Sequence, residues 1–275
     1  MLASVYPGRC SFGYTSMPSH LKPLLLASLL SLVPSSVTAT EQVGEAVLIK
    51  TSVSGDGRRL VTRSPVHRDE RIVTSSTGLG EFIFRDGTKF AVGMNSSVVI
   101  DSFVFAGDGS FKDLTLKAAK GSFRWISGGS PSSAYKIDTP AGIIGVRGTA
   151  LDVYVGDGGL TAVVLLSGAA RFCGPSSCQD LRRRCDYVIA TPQGAITSPV
   201  RVTQGVLRQV SNAWALPFLT GDQSLTQGFQ TGSSCGFASA TAPSSSEGRD
   251  GAGSPSPTPS PDIGDGEDEG NDPNY

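Results

Sequence analysis

The chain has 275 residues, enough for one large or two small domains, and its ordinary apolar fraction is compatible with a packed core. Its 34 glycines, and the scarcity of Leu- and Ala-rich helical periodicity beyond the first forty positions, argue against a helical body and for strands joined by tight turns. The net charge is only −1 and the basic residues are scattered without interleaved aromatics, which argues against a nucleic-acid partner.

Residues 1–39 read as upstream residues and a cleavable export signal, with translation starting at Met17. His20 and Lys22 form a weakly basic start, Leu24 to Val33 an apolar run, and Pro34 to Ala39 a small-residue zone ending in Val37-Thr38-Ala39, after which cleavage would fall. The apolar run is shorter than the roughly 20 residues that cross a bilayer. No later stretch is long enough either, so the mature chain is expected to carry no transmembrane segment and to reside in the periplasm or be secreted. A buried helix is the rival reading of the leader.

Residues 40–190 offer short apolar runs separated by turn residues at roughly ten-residue spacing, the pattern of an all-β domain. We expect a two-layer antiparallel β-sandwich or β-roll. In Glu81-Phe82-Ile83-Phe84-Arg85 the phenylalanines share one face, and Asp86-Gly87 turns the chain into Thr88 to Val92 as a two-residue hairpin. Strands follow at Ser97 to Phe105, Leu114 to Leu116 and Ser122 to Ile126. Leu151 to Val155 and Thr161 to Leu166 then pair through Gly156-Asp157-Gly158-Gly159. Gly-Asp-Gly occurs at Gly55, Gly107 and Gly156, but the flanks supply no ladder of acidic ligands, so these read as turns rather than calcium loops.

Four cysteines lie beyond the leader, an even number that suits an oxidising compartment. Cys173 and Cys178 flank a turn-forming Gly174-Pro175-Ser176-Ser177, which favours the pairs Cys173 with Cys178 and Cys185 with Cys235. A zinc site is disfavoured because no two cysteines are spaced for it and no histidine lies near. Neither a metal nor any other cofactor is expected. Residues 191–235 form a C-terminal extension in which Val206, Val210 and Trp214 lie four apart, placing a short helix over Val202 to Ala215 that ends before Pro217. Residues 236–275 are rich in Ser, Pro, Gly, Asp and Glu. From Glu247 onward they hold eight acidic residues against Arg249, a net of −7, and are expected to stay disordered.

Catalytic patterns are missing. His67 is the sole histidine after the leader, and no Gly-x-Ser-x-Gly elbow or phosphate loop is present. The acids Asp56, Asp86, Asp108 and Asp157 mark turns or strand ends, and a glycosidase built on paired carboxylates is the rival that sequence leaves open. Around Gly145-Val146-Arg147-Gly148-Thr149 the glycines allow positive φ or close strand approach. Arg147, amid apolar neighbours, calls for a carboxylate partner among Asp152, Asp138 and Asp86, with capture of an anionic ligand as the functional alternative. The triplet Arg182-Arg183-Arg184 reads as a solvated loop.

At Thr139-Pro140 and Gly145 to Thr149 the sequence resembles the FecR domain family. Glu70-Arg71-Ile72-Val73-Thr74-Ser75, Phe84-Arg85-Asp86-Gly87-Thr88 and Asn95-Ser96-Ser97-Val98-Val99-Ile100 follow the family pattern in the same order, and the likeness spans about Ala46 to Arg171. The family's best-known members are periplasmic regulators that relay receptor occupancy to a cytoplasmic sigma factor through a membrane span. This sequence has a cleavable-looking leader in place of the cytoplasmic segment, which puts direct sigma-factor control in doubt. What the resemblance implies is an exported β module that works by contact with an envelope protein, in signalling, with no catalytic residues. The alternative is a carbohydrate or cell-wall binding module in which Trp125, Tyr135 and Trp214 stack on a glycan.

Overall fold

The computed structural model describes residues 41–106, 109–232 and 235–237. The leader, its cleavage point and the acidic tail lie outside the described residues, as does the tip of the second Gly-Asp-Gly.

The chain opens with β1 (Gln42–Lys50), β2 (Val53–Gly55), β3 (Arg58–Arg59), β4 (Pro65–His67), β5 (Arg71–Thr74), β6 (Leu79–Phe84) and β7 (Lys89–Val92). Two long strands, β8 (Ser97–Phe105) and β9 (Phe111–Ile126), lead to β10 (Tyr135–Thr139), β11 (Gly142–Val155) and β12 (Thr161–Cys173). The short strands β13 (Cys178–Leu181), β14 (Asp186–Ala190) and β15 (Val200–Arg201) precede the helices α1 (Gly205–Gln209) and α2 (Pro217–Thr220). The all-β expectation holds. All fifteen strands of the described residues are, however, hydrogen-bonded into one sheet rather than two separate layers, with a main path β15-β14-β12-β11-β10-β9-β7-β6-β1-β4. Nor is the sheet purely antiparallel, because β10 runs parallel to β9, pairing Tyr135 with Leu114 and Ile137 with Leu116. The reason lies in the connection from Ser127 to Ala134, which returns the chain to the start of β9 instead of reversing it beside the end.

Turn chemistry decides where hairpins form. Asp86-Gly87 was expected to make a two-residue hairpin between β6 and β7. Instead Phe84 donates its N–H to the Thr88 carbonyl and its own carbonyl accepts from Gly87 N–H, leaving a three-residue loop with Gly87 at φ +83°. The Asp86 carboxylate sets that loop by accepting the Thr88 N–H and hydroxyl at 2.8 and 3.0 Å. A two-residue turn does occur at Asp56-Gly57, both at positive φ, joining β2 to β3. Leu114 to Leu116 and Ser122 to Ile126 belong to the single strand β9, which bends through Gly121 at φ +105° against Ser96.

The core explains why the later strands read as unbroken apolar runs. On the inner face, Val43, Ile72 and Val98 belong to the same buried cluster as Phe123, Trp125, Val163 and Val188, so the sheet wraps around its own interior. On the outer face of β11, β12 and β14, Tyr154, Ala162, Val164, Leu166 and Ile189 are buried too. The extension covers them with Val202, Val206, Leu216 and Leu219. Strands covered on both sides have no solvent face to show as alternation. The expected helix over Val202 to Ala215 is instead the five-residue α1. It stops because Ser211 takes φ +52°, and Pro217 opens α2 rather than following a helix end. Trp214 therefore leaves the apolar face and is 57% exposed.

Polar groups fix the extension in place. Arg124 on β9 and Asp152 on β11 are direct register partners, joined by two bonds of 2.6 and 2.7 Å, and both are nearly sealed from water. The Phe218 ring of α2 lies 5.5 Å from the guanidinium carbon. Further along, buried Glu81 accepts the Thr226 N–H at 2.8 Å, and Gln223 bridges Met94 N–H and the Gly78 carbonyl. The disulfide Cys185–Cys235 closes a separation of 50 residues, and Cys173–Cys178 closes one of 5. Both are the pairs favoured from the spacing.

Replacing Cys185 and Cys235 together by Ser should cost about 4 kcal/mol in urea unfolding, against about 2 kcal/mol for Cys173 and Cys178, because the longer loop loses more closure entropy. Asp152→Asn should cost about 3 to 5 kcal/mol by leaving Arg124 buried and unpaired.

Candidate interaction surface at the glycine-arginine motif

The stretch Gly145 to Thr149 is a β-bulge at which β11 changes neighbours. Gly142 to Gly145 pair with β10, whereas Ala150 to Val155 pair with β9. Against β12 the register shifts between Arg147↔Ala169 and Ala150↔Ser167, so Gly148 and Thr149 stand opposite Gly168 alone. Gly148 lies at φ +57° and Gly168 at +74°, and a Cβ on Gly168 would meet the Gly148 carbonyl at 2.1 Å. The Thr149 hydroxyl accepts the Arg147 N–H at 2.9 Å and donates to the Ala169 carbonyl, satisfying the groups that the bulge takes out of the ladder. Thr149 N–H in turn finds the Ser127 hydroxyl at 3.2 Å.

Of the motif side chains, Val146 is buried in the core while Arg147 points to solvent. The expected ion pair at Arg147 is not formed: among the described residues no carboxylate lies within salt-bridge distance of it, and its candidate partners are engaged elsewhere or apart from it. Asp152 belongs to Arg124. Asp86 accepts from the Ser130 hydroxyl at 2.7 Å and the Tyr135 hydroxyl at 2.5 Å, besides holding its own turn. Burial first, and then the bond to Asp86, push the Tyr135 hydroxyl above its ordinary pKa.

Strand register aligns further charges with Arg147. Gly145, Arg171 and Asp180 are successive partners across β11, β12 and β13, so they lie in one row. Asp180 bonds Arg182 at 2.9 Å and lies 3.8 Å from Arg171. With Ser132 and Ser133, these residues and Arg147 line a groove of 880 Å³ with three arginines to one carboxylate. Two residues before Gly145 on β11 stands Ile143, 49% exposed, whose register partner is Cys173 of the short disulfide. Sequence reading missed Arg171 and Asp180; the triplet Arg182-Arg183-Arg184 is the exposed loop it was read as, and Arg182 from it joins the groove. The alternation Ala169-Ala170-Arg171-Phe172 was the available signal, since Ala170 and Phe172 are buried and Arg171 is not. The strand β13 that carries Asp180 pairs with β12 alone among the described strands, which leaves its outer edge open to Gln179 and its neighbours.

The other candidates are distributed away from this groove. His67 Nδ1 stands 3.4 Å from Glu70, a buried carboxylate that also accepts from Arg58 and the His67 backbone. The aromatic trio proposed for glycan stacking does not assemble: Trp125 and Tyr135 are in the core, their rings 5.3 Å apart, and Trp214 alone is exposed. Among the described residues no group of three metal-ligating side chains gathers, and no helix is long and apolar enough to cross a membrane.

The family model described as FecR protein matches residues 70–171, from the buried carboxylate of Glu70 to the outward Arg171. This part of the chain is similar to the FecR family. It contains the β6–β7 turn, the bulge and most of β12, whereas β13, Asp180 and the extension lie beyond it. No curated protein matches the sequence. Two crystal structures of a "putative anti-sigma factor" from Parabacteroides distasonis align with 18% and 17% identity, TM-scores of 0.40 and 0.39, over 50% of this chain. The chain spans less than two thirds of those structures, 62% and 63%.

The bulge geometry makes a graded expectation. Gly148→Ala should cost about 1 to 2 kcal/mol, since its Cβ meets open space and only the left-handed backbone resists it. Gly168→Ala should cost about 3 kcal/mol or more, because positive φ and overlap with a carbonyl add. Equal unfolding midpoints in urea for the two variants would refute this account of the motif.

Proposed function

We propose that the protein is an exported, non-catalytic interaction module of the cell envelope that acts in a signalling pathway, and that its partner docks on the FecR domain at the arginine groove and the adjacent edge of β13. The observation that carries this reading is the coincidence of an unpaired strand edge with three outward arginines and exposed Ile143 on contiguous strands. An extended partner segment would add to β13 through main-chain hydrogen bonds. Arg147, which has no ion-pair partner among the described residues, would select a segment carrying Asp or Glu beside it. The FecR match supports a regulatory role exercised by protein contact. The two disulfides support a non-cytoplasmic location, in the periplasm or outside the cell. The acidic tail serves solubility in this reading, and partner capture does not require it.

A photo-crosslinking residue placed at Gln179 or Arg171 of the full chain should give a discrete protein adduct in intact envelopes, and one at Lys50 should give none. Arg147→Glu combined with Arg171→Glu should weaken capture at least tenfold without moving the unfolding midpoint by more than a few degrees. Adducts that persist unchanged in the double variant, or that require the residues after Cys235, would remove the proposal.

A further inference from the structure

A second surface shares no lining residue with the arginine groove. Trp214 stands beside a depression of 680 Å³ whose walls include Tyr154, Asn212, Asn95, Lys120 and Asp157. Tyr154, Asp157 and Asn212 also line a neighbouring depression of 500 Å³ that continues to Gln209 and Ser211. In the other direction Ser76, Thr77 and Met94 are shared with one of 330 Å³ that reaches Thr51 and Gln223. The three are joined into one trough with the exposed indole in its middle section.

The turn that carries the indole is fixed. Asn212 accepts the Trp214 backbone N–H through its side-chain oxygen at 2.8 Å and donates from its amide nitrogen to the Tyr154 hydroxyl at 2.8 Å. One amide thereby fixes both the short turn that presents Trp214 and the phenol at the trough floor. The position of Trp214 costs the fold an exposed aromatic face, 57% accessible among the described residues.

The charges and the backbone narrow the ligand. Lys120 is bound to Asp157 at 2.6 Å, and in the third depression Lys50 is balanced by Asp222, so the trough offers no net positive charge to a phosphate. The floor strands are already paired: Gly121 with Val155, Ser122 with Tyr154, Tyr154 with Ala162 on its other side. A peptide could not add there as a strand. What remains is a long, neutral, hydroxyl- and amide-lined channel with one flat apolar platform, which matches the alternating CH faces and hydroxyl edges of a pyranose chain. From this we infer that the trough centred on Trp214 binds a linear, uncharged oligosaccharide, one ring stacked on the indole and its neighbours hydrogen-bonded by Asn95, Asn212, Gln209 and Thr77. This goes beyond the protein-contact reading and stands or falls independently of it.

The two tryptophans make the test direct, since Trp125 is fully buried and Trp214 is not, so ligand-induced emission changes report the trough. The full chain would be titrated with chitotetraose, cellotetraose and maltotetraose. At least one should shift the emission saturably and release heat in calorimetry. Trp214→Ala should weaken that binding at least tenfold with the unfolding midpoint unchanged, and Asn212→Ala should weaken it by less. Binding retained in Trp214→Ala, or no saturable response to any of the three up to about 10 mM, overturns the inference. Loss of the envelope adducts at Gln179 would leave it untouched.

Discussion

The Arg124–Asp152 pair is the constraint on which the rest of the architecture depends. Two full charges on adjacent strands lie out of water, and such a pair is tolerable only when its geometry is complete and the site stays closed. The fork of Arg124 on both Asp152 oxygens supplies the geometry. Closure comes from elsewhere in sequence, through Phe218 of α2 and the apolar residues of the extension. The C-terminal extension is thus part of what makes the central strands stable, although it lies outside the stretch that matches the FecR model. The disulfide from Cys185 to Cys235 holds the far end of that cover against β14's side of the sheet.

A sheet covered on both faces in its middle leaves few places for function. Recognition would sit where cover is incomplete, and two such places stand out among the described residues. Just before the bulge, where β11 leaves β10 for β9, strand alternation turns Arg147 outward beside Arg171 and Asp180. Around Trp214, the cover itself ends in a turn that α1 cannot continue, because Ser211 adopts a left-handed backbone. The first surface offers charge and an open strand edge. The second offers hydroxyls, amides and one aromatic plane. These chemistries suit different ligands, and the paired backbone under the second excludes the mode of binding that the first invites.

The motif residues acquire physical meaning from the same geometry. Gly148 and Gly168 face each other where two residues oppose one, and Thr149 replaces the ladder bonds that the bulge removes. The Asp86 turn works likewise: its carboxylate gathers Thr88, Ser130 and Tyr135, tying the β6–β7 loop to the connection that feeds β10. A family pattern of glycine, aspartate and threonine is in this case a set of turn and bulge requirements, and Arg147 is the member of the motif left over for contact.

Local chemistry alone determined the all-β class, the outline of β6 to β9 and of the β11–β12 pair, both disulfides and the likeness to the FecR family, because side-chain alternation, turn residues and cysteine spacing act within a few residues of one another. Tertiary structure decided the rest. The parallel β9–β10 pairing depends on where a connection lands, and the true partner of Asp152 depends on which strand lies beside it, so Arg124 and not Arg147 fills that role. Burial of Tyr135 and exposure of Trp214 were equally invisible, since the first follows from packing against Trp125 on the inner face and the second from where the cover of the outer face ends. Arg171, Asp180 and Arg147 share a surface only because the register of three strands aligns them, and register is fixed by packing across the whole sheet.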